Sequence, residues 1–479
     1  MRILSKKTAI ALLAASIFFS CKKWEEHTDV GNPDLNQDVM TALAGNANLS
    51  KFTEYVRATK ADTLLTSSKT YTVWAPTNDA LTTLDPAIVN DLVKLRKFVE
   101  NHIANQSWFA RDALTPTRVS MLNGKYQNFS TGKFDEANIT NADRFVKNGV
   151  LHTIDKRIEV QQSIWEFINS STAVYLQNKF IAGQNFEDFD PALAIVDSIS
   201  STTGLPVYHP GTGIVIKNRF NTRVYDLKNE QKQYTYFVIT DPEFIKESDS
   251  LKVYYATGSA SVTDSLAKWN TVKDLAVEGL YPPSALAGLL SKFGTPLRLD
   301  AGFIVETKKM SNGIVHIFSK IDVLNADKFK TITIQGEFPN GFMADRTGNT
   351  NYRIRFNPAT NADFADIMVS GHNLTAYYSF YRLNEVPSIK YRVYAFGVND
   401  FQTGAFTQAI VPKYYVAPST YTTLATLTHT VPLSTAAGAY NELLLGEFTV
   451  TNYGTLEIQL TANATNPIVL DYMRLVPVP

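Results

Sequence analysis

Tyr71-Thr72-Val73-Trp74-Ala75-Pro76-Thr77-Asn78-Asp79-Ala80-Leu81 decides how this chain is read, paired with Asn148-Gly149-Val150-Leu151-His152-Thr153-Ile154-Asp155-Lys156. Tyr71, Val73 and Trp74 favour a strand. Pro76 has no N–H, so it cannot continue a central ladder. Thr77, Asn78 and Asp79 offer side-chain oxygens to the open N–H groups of a helix start. Asn148-Gly149 reads as a hairpin turn, because both residues tolerate positive φ. The strand after it places Val150, His152 and Ile154 on one face and Leu151 and Thr153 on the other.

These two motifs resemble the signatures of the fasciclin-like (FAS1) module, T-V-F-A-P-T-N-x-A-F and N-G-V-I-H-x-I-D. The likeness covers Thr72 to Ala80 and Asn148 to Asp155. It implies a compact mixed α/β fold with the two signature strands adjacent at its centre and helices on one side. It also implies a secreted or surface-attached module for adhesion and interaction, and does not imply an enzyme; the expectation is a non-enzyme. Within this first repeat, Asp85-Pro86 reads as a helix start. Ile88, Leu92, Leu95, Val99 and Ile103 then recur at helical spacing as one core face. His102 stands where the family often has a histidine. It is read as structural or, alternatively, as a binding residue. Asn123-Gly124 is a further turn.

The motifs recur. Asn312-Gly313-Ile314-Val315-His316-Ile317 restates the second, and Tyr236-Phe237-Val238-Ile239-Thr240-Asp241 restates the first in altered form. Thr77 to Asn148 spans 71 positions and Thr240 to Asn312 spans 72. A second, divergent repeat over 159–324 follows, with no histidine near Leu275 to Tyr281. Residues 164–232 are longer than their counterpart. Their loop around His209 is a candidate partner contact, or else a local elaboration of the core. His152 and His316 fall inside strands and read as core histidines with satisfied nitrogens.

Beyond residue 325 the period changes to two at Thr331–Ile334, Tyr352–Phe356, Lys390–Phe396 and Leu456–Leu460. The expectation is an all-β antiparallel sandwich of jelly-roll type over 325–479. The run Ile468 to Pro477 resembles the last strand of galactose-binding-like sandwiches. Tyr377, Tyr378, Phe380, Tyr381, Arg382, Tyr391 and Tyr394 could supply an aromatic platform for sugar. Tyr377, Tyr381 and Arg382 are the candidate contacts. Aromatics on alternating strands also serve as core, and all five tryptophans lie at or before Trp269.

The N-terminus has a basic stretch (Arg2, Lys6, Lys7), an apolar run from Thr8 to Phe19 too short for a comfortable span, and then Ser20-Cys21. This resembles a bacterial lipoprotein signal of the Bacteroidota type: 1–20 removed, Cys21 lipidated, and 21–35 a tether. The alternative is a short membrane anchor. Glu25 and Glu26 resemble an export signal to the outer face of the outer membrane, or are a solvated linker. Cys21 is the chain's one cysteine, which excludes an internal disulfide and Cys-rich zinc sites. Lys plus Arg and Asp plus Glu are 45 each, which argues against nucleic acid.

No H-E-x-x-H, Gly-rich phosphate loop or G-x-S-x-G is present. Glu187, Asp188 and Asp190 are simpler as a solvated loop than as a glycosidase pair. No cofactor or metal is expected. Thr63, Ser198, Ser250 and Ser265 resemble the D-[S/T]-aliphatic O-glycosylation site of Bacteroidota. The expected organisation is FAS1 domains at 36–158 and 159–324 and a sandwich at 325–479. The expected function is adhesion, or assembly with other envelope proteins. The alternative is a surface glycan-binding accessory of a SusC/SusD-type uptake system, with polysaccharide as ligand.

Overall fold

The computed structural model describes residues 33–322, 324–417 and 420–479. The expected signal peptide, Cys21 and most of the tether lie outside them. The chain divides into two compact units. Of the described residues, one unit comprises 33–167, 227–234 and 309–313; the other comprises those in 168–226, 235–308 and 314–479.

In the first unit, β1 (Tyr71–Pro76), β2 (Ile103–Ala104), β3 (Thr117–Ser120), β4 (Tyr126–Ser130), β5 (Lys133–Phe134), β6 (Ala137–Val146) and β7 (Gly149–Ile154) form one sheet, in the order β2-β1-β7-β6-β5-β4-β3. The two signature strands pair in parallel, from Tyr71 opposite Gly149 to Pro76 opposite Ile154. Alternation then sorts their side chains. Tyr71, Val73, Ala75 and Leu151 join Val39, Leu43, Phe52, Val56, Phe98 and Val99 from the helical layer in one core. Trp74 and Ile154 join Phe129 and Phe134 in another, with Trp74 stacked 4.3 Å from Phe134. Each fully buried large side chain contributes roughly 1.5–3 kcal/mol.

Three local expectations are corrected. Asn78 does not cap its own helix start. Its Oδ1 accepts from Lys51 N (2.9 Å), and its Nδ2 donates to Ala47 O (2.9 Å) and Ser50 Oγ (3.0 Å). It thus pins the distant helix Ser50–Ala58, whose own preceding residue, Leu49, has no side-chain acceptor. The helix from Asp85-Pro86 stops at Val89, and a second starts at Leu92. Asp91 causes the break: its carboxylate accepts from Val93 N and Lys94 N, which a continuous helix would not leave open. Leu92 is therefore exposed rather than core, and Ile103 lies in β2.

The third correction concerns the Asn148-Gly149 turn, where neither residue has positive φ. Glycine is needed for a different reason. A Cβ at Gly149 would stand 1.9 Å from the Tyr71 carbonyl oxygen, so the parallel strands approach too closely for any side chain. Asn148 acts as a clamp. Its Oδ1 accepts from Val39 N (2.8 Å), and its Nδ2 donates to Leu65 O (2.7 Å) and Ser67 O (2.9 Å).

In the second unit, β8 (Asn185–Phe189), β9 (Val196–Ile199), β10 (Pro206–Tyr208) and β11 (Ile214–Asn218) make two nested antiparallel ribbons. β12 (Tyr234–Ile239), β13 (Ala276–Glu278), β14 (Ile304–Met310) and β15 (Gly313–Phe318) form a sheet in the order β13-β12-β15-β14. That order parallels β2-β1-β7-β6, and the same bonds recur around it. Thr72 Oγ1 donates to Gln106 O and accepts from Trp108 N; Thr235 Oγ1 donates to Gly279 O and accepts from Tyr281 N. Within the first unit, Asn312 repeats the clamp, accepting from Ile164 N and donating to Leu227 O and Asn229 O. A Cβ at Gly313 would stand 1.9 Å from Tyr234 O. Trp74 N donates to His102 O, and Phe237 N to Leu275 O, so Leu275 occupies the place of His102.

The rest is all-β. β16 (Ile332–Gln335), β17 (Gly341–Phe342), β18 (Thr350–Asn357), β19 (Ala362–Val369), β20 (Ala376–Val386), β21 (Lys390–Phe396), β22 (Phe406–Ala417), β23 (Thr420–Thr423), β24 (Leu427–Val431), β25 (Leu443–Thr449), β26 (Gly454–Asn463), β27 (Ile468–Leu470) and β28 (Tyr472–Val478) build three sheets. Their orders are β16-β28-β21-β25, β17-β20-β26-β22-β23 with β24 on β22, and β18-β19-β27. Leu251, Tyr255 and Ala267 from the helical part share one apolar core with Tyr377, Tyr391, Ile458 and Leu475 of these sheets. The two parts of this unit are therefore packed as one body.

Candidate functional site

His102 is fully buried. Phe98 O can only accept, so the ring Nδ1 2.9 Å away carries the proton; Nε2 accepts from Ile158 N at 3.1 Å. Both nitrogens are used inside the protein, which corrects the expectation of a ligand contact here. His152 is held likewise, donating from Nε2 to Trp108 O and accepting at Nδ1 from Asp143 N. His316 Nε2 donates to Tyr281 O. Burial lowers the pKa of His102 to about 4, against a partial opposing effect of its bond to Phe98 O. The unfolded chain protonates near 6.5 and the folded one does not. The His102 contribution to stability is therefore complete above pH 6.5 and is lost as pH falls toward 4, by about 3 kcal/mol. Urea unfolding at pH 7 and 4.5 should show this loss in the first unit, and His102→Gln should reduce it. An equal acid loss in the variant would refute the assignment.

The proposed aromatic platform divides by strand alternation. Tyr377 and Tyr381 point inward and are buried, Tyr381 donating from its hydroxyl to Gly336 O at 2.8 Å. Neither reaches the surface, which corrects both as ligand contacts; Tyr391 is core as well. Tyr378, Phe380 and Arg382 fall on the outer face. The Arg382 guanidinium lies 5.0 Å over Phe380, donates to Glu457 Oε2 at 3.0 Å, and donates to the Tyr421 hydroxyl at 3.2 Å.

His209 is exposed where the two ribbons of the arm join, between β10 and β11, its Nδ1 donating to Pro210 O. The arm around it carries the signal that motif reading missed. Phe186, Phe189, Leu193, Ile195, Val196, Ile199, Leu205, Val207, Ile214 and Ile216 are all exposed, Leu193 and Leu205 at 64% and 65%. Two-stranded ribbons have little stability of their own. An apolar surface of this extent on a narrow arm makes it a candidate interaction site. The signal was in the sequence as apolar residues on both faces of short strands, where a solvated hairpin would alternate.

Thr63, Ser198 and Ser250 are exposed, and Ser265 is half-buried in the helix Ala260–Val272. The hydroxyls of Thr63 and Ser250 donate to Lys60 O and Glu247 O. Among the described residues no group of three His, Cys, Asp or Glu side chains is placed to hold a metal, and no helix is long and apolar enough to cross a membrane.

Residues 47–160 match the Fasciclin domain family. This segment is a fasciclin domain. A curated relative, Protein sll1483 of Synechocystis sp., is 29% identical over 135 residues, which are 26% of this chain and 74% of that protein. Among solved structures, a FAS1 domain pair from the insect cell adhesion molecule Fasciclin I aligns with 59% of this chain and 99% of its own, at 16% identity and a TM-score of 0.24. TmCBM61, solved with β-1,4-galactotriose, aligns with 30% of this chain and 86% of its own, at 13% identity and a TM-score of 0.17. At such scores the fasciclin assignment stands on the sequence match.

Proposed function

We propose that this is a non-catalytic cell-envelope protein that mediates adhesion or assembly with another envelope protein, held on the outer membrane surface through a lipidated Cys21. The fasciclin domain at 47–160 carries this reading, because domains of that family are linked to cell adhesion. The apolar ribbon arm within 164–232 is its contact surface. A second, divergent fasciclin repeat at 159–324 is part of the proposal. Its support is the recurring strand order, the Asn312 clamp, the Gly313 approach and the Thr235 bridge. A jelly-roll sandwich at 325–479 completes the organisation, supported by antiparallel pairing between the named strands of the region.

Intact protein isolated from native membranes in mild detergent should bring down a stoichiometric envelope protein. The variant Leu193→Ser/Ile195→Ser/Leu205→Ser should not. A protein that comes down alone, or a partner that the variant retains, would overturn the arm as the contact. The outer face of Tyr378, Phe380 and Arg382 favours the second reading, a glycan-binding accessory to a SusC/SusD-type transporter. That reading expects the arm variant to be silent and saccharide affinity to reside in 325–479.

A further inference from the structure

A cavity of about 320 Å³ opens within the second unit, where its helices meet its all-β region. Volumes near 300 Å³ suit a small ligand. Trp269 and Lys273 reach it from the end of the helix Ala260–Val272, and Arg223 from the end of the helix Arg219–Arg223. Tyr255, Tyr391 and Tyr453 supply phenol groups.

The charges in this cavity do not cancel. Arg223 grips Glu385 with two bonds of 3.2 Å. Lys328 Nζ lies 2.6 Å from Asp274 Oδ2. Lys330 Nζ donates to a neutral acceptor, Gly294 O. The Lys273 ammonium has no acceptor among the described residues and lies 5.2 Å over the Phe293 ring. Lys273 and Lys330 thus make no direct ion pair among the described residues, the carboxylates nearest Lys273, Asp274 and Glu385, being engaged by Lys328 and Arg223. The hydroxyls of Tyr255, Tyr391 and Tyr453 likewise make no hydrogen bond to a described residue.

The backbone supports a built site. Glu385 has φ 59°, a left-handed conformation, and sits where β20 breaks register between Leu383 and Val386. Such a conformation is costly for a non-glycine residue. Here it brings a carboxylate against Arg223 at the cavity and fixes that guanidinium.

We propose that this cavity, with Lys273 as its anion anchor and Trp269, Tyr255 and Tyr453 as its walls, binds a carboxylate carried on a hydroxylated ring, the chemistry of a uronic acid. The ammonium pairs with the carboxylate. Tyr453, half-buried, is the wall with exposed ring; Trp269 and Tyr255, packed against Arg219 and Phe329, close the cavity behind it, and the phenols bond the ligand's hydroxyls. A neutral sugar would leave the ammonium unpaired; a bare inorganic anion would leave the phenol hydroxyls unbonded. Burial lowers the Lys273 pKa to about 8. Of the charged groups around it, Arg223 is paired with Glu385 and Lys328 with Asp274, Arg219 lies over Trp269 and beside Glu385, and Lys330 is the remaining lining cation. Binding should therefore weaken as pH rises through 8.

The test is calorimetric titration of the full chain with glucuronate, with glucose, benzoate and inorganic phosphate as comparisons. Glucuronate should bind saturably and at least tenfold more tightly than glucose, benzoate or phosphate. Lys273→Gln should weaken it about tenfold. Tyr453→Phe, which removes one hydroxyl from a half-buried ring, should weaken it severalfold and covers the case in which Lys273→Gln fails to fold. Equal affinity for glucose, preference for benzoate or phosphate, no saturation by glucuronate, or full affinity in the folded variants would each overturn the proposal. It does not depend on adhesion through the arm, since the Leu193/Ile195/Leu205 variant should bind glucuronate unchanged.

Discussion

Gly149→Ala should destabilise the first unit by about 3 kcal/mol or more, at or beyond the upper end of the usual overpacking cost. The added methyl would stand 1.9 Å from Tyr71 O and 2.9 Å from Tyr71 C. Those are backbone atoms of the strand paired with Gly149, so no rotamer change relieves the contact. The strands must move apart, and they carry Trp74, Val73 and Leu151 into the two cores of the unit. Gly313→Ala should behave alike, because its Cβ would meet Tyr234 O at the same distance. Gly124→Ala is the control. It has positive φ (81°) and open space around it, so it should cost only about 1 kcal/mol of backbone strain. Hydrogen exchange at the amides of β1 and β7 reads the effect locally, even if the two units unfold separately. Protection within about 1 kcal/mol of wild type in Gly149→Ala would show that the strands tolerate the separation.

The same glycine illustrates what the sequence made legible. Asn148-Gly149 marked the right place and the right hairpin, for a local reason that does not operate. Propensity rules describe a residue's own φ and ψ. The constraint on Gly149 comes from Tyr71, which is distant in sequence and adjacent only after folding. Asn78 and Asn148 follow the same logic: their side chains looked like local caps and instead serve backbone groups of other segments. Alternation was more dependable. It placed Leu151 and His152 on opposite faces, and applied to β20 it would have sent Tyr377 and Tyr381 inward while leaving Tyr378, Phe380 and Arg382 outside. Composition alone could supply an aromatic platform; the period of two decided which rings reach it. The cavity around Lys273 was not legible at all. Its walls come from segments between Arg223 and Tyr453, and no spacing rule joins them.

The buried ion pair of the second unit sets the other large expected effect. Asn101 lies just before His102, and its Oδ1 accepts from Asn123 Nδ2 and Gln127 Nε2. At the corresponding place, just before Leu275, stands Asp274. Its carboxylate is 1% exposed and accepts from Ser291 Oγ (2.6 Å) and Lys328 Nζ (2.6 Å), whose side chain is 4% exposed. A neutral amide network has become a charged one, and a buried charge is tolerable only while its partner is present. Lys328→Met should therefore cost about 3–5 kcal/mol, the range for stranding one member of a buried pair. The double variant Asp274→Asn/Lys328→Met should recover most of that loss, because an amide can still accept from Ser291 without needing a cation. Acid separates the cases further. Burial acts to raise the Asp274 pKa, but the charge and hydrogen bond of Lys328, with Ser291, outweigh it and hold the group below its ordinary value of 3.8. In wild type the stabilisation from this group is present above pH 3.8 and is lost as pH falls below it. In Lys328→Met the effect of burial is opposed only by Ser291 and the charge of Lys273, so protonation of Asp274 relieves the stranded charge and mild acid should narrow the gap to wild type. Urea unfolding of the four members of the cycle at pH 7 and pH 5 measures both effects. A single variant that loses less than about 1 kcal/mol, the range of an exposed pair, or a double variant no better than the single, would mean that water reaches Asp274 and that the pair is not closed.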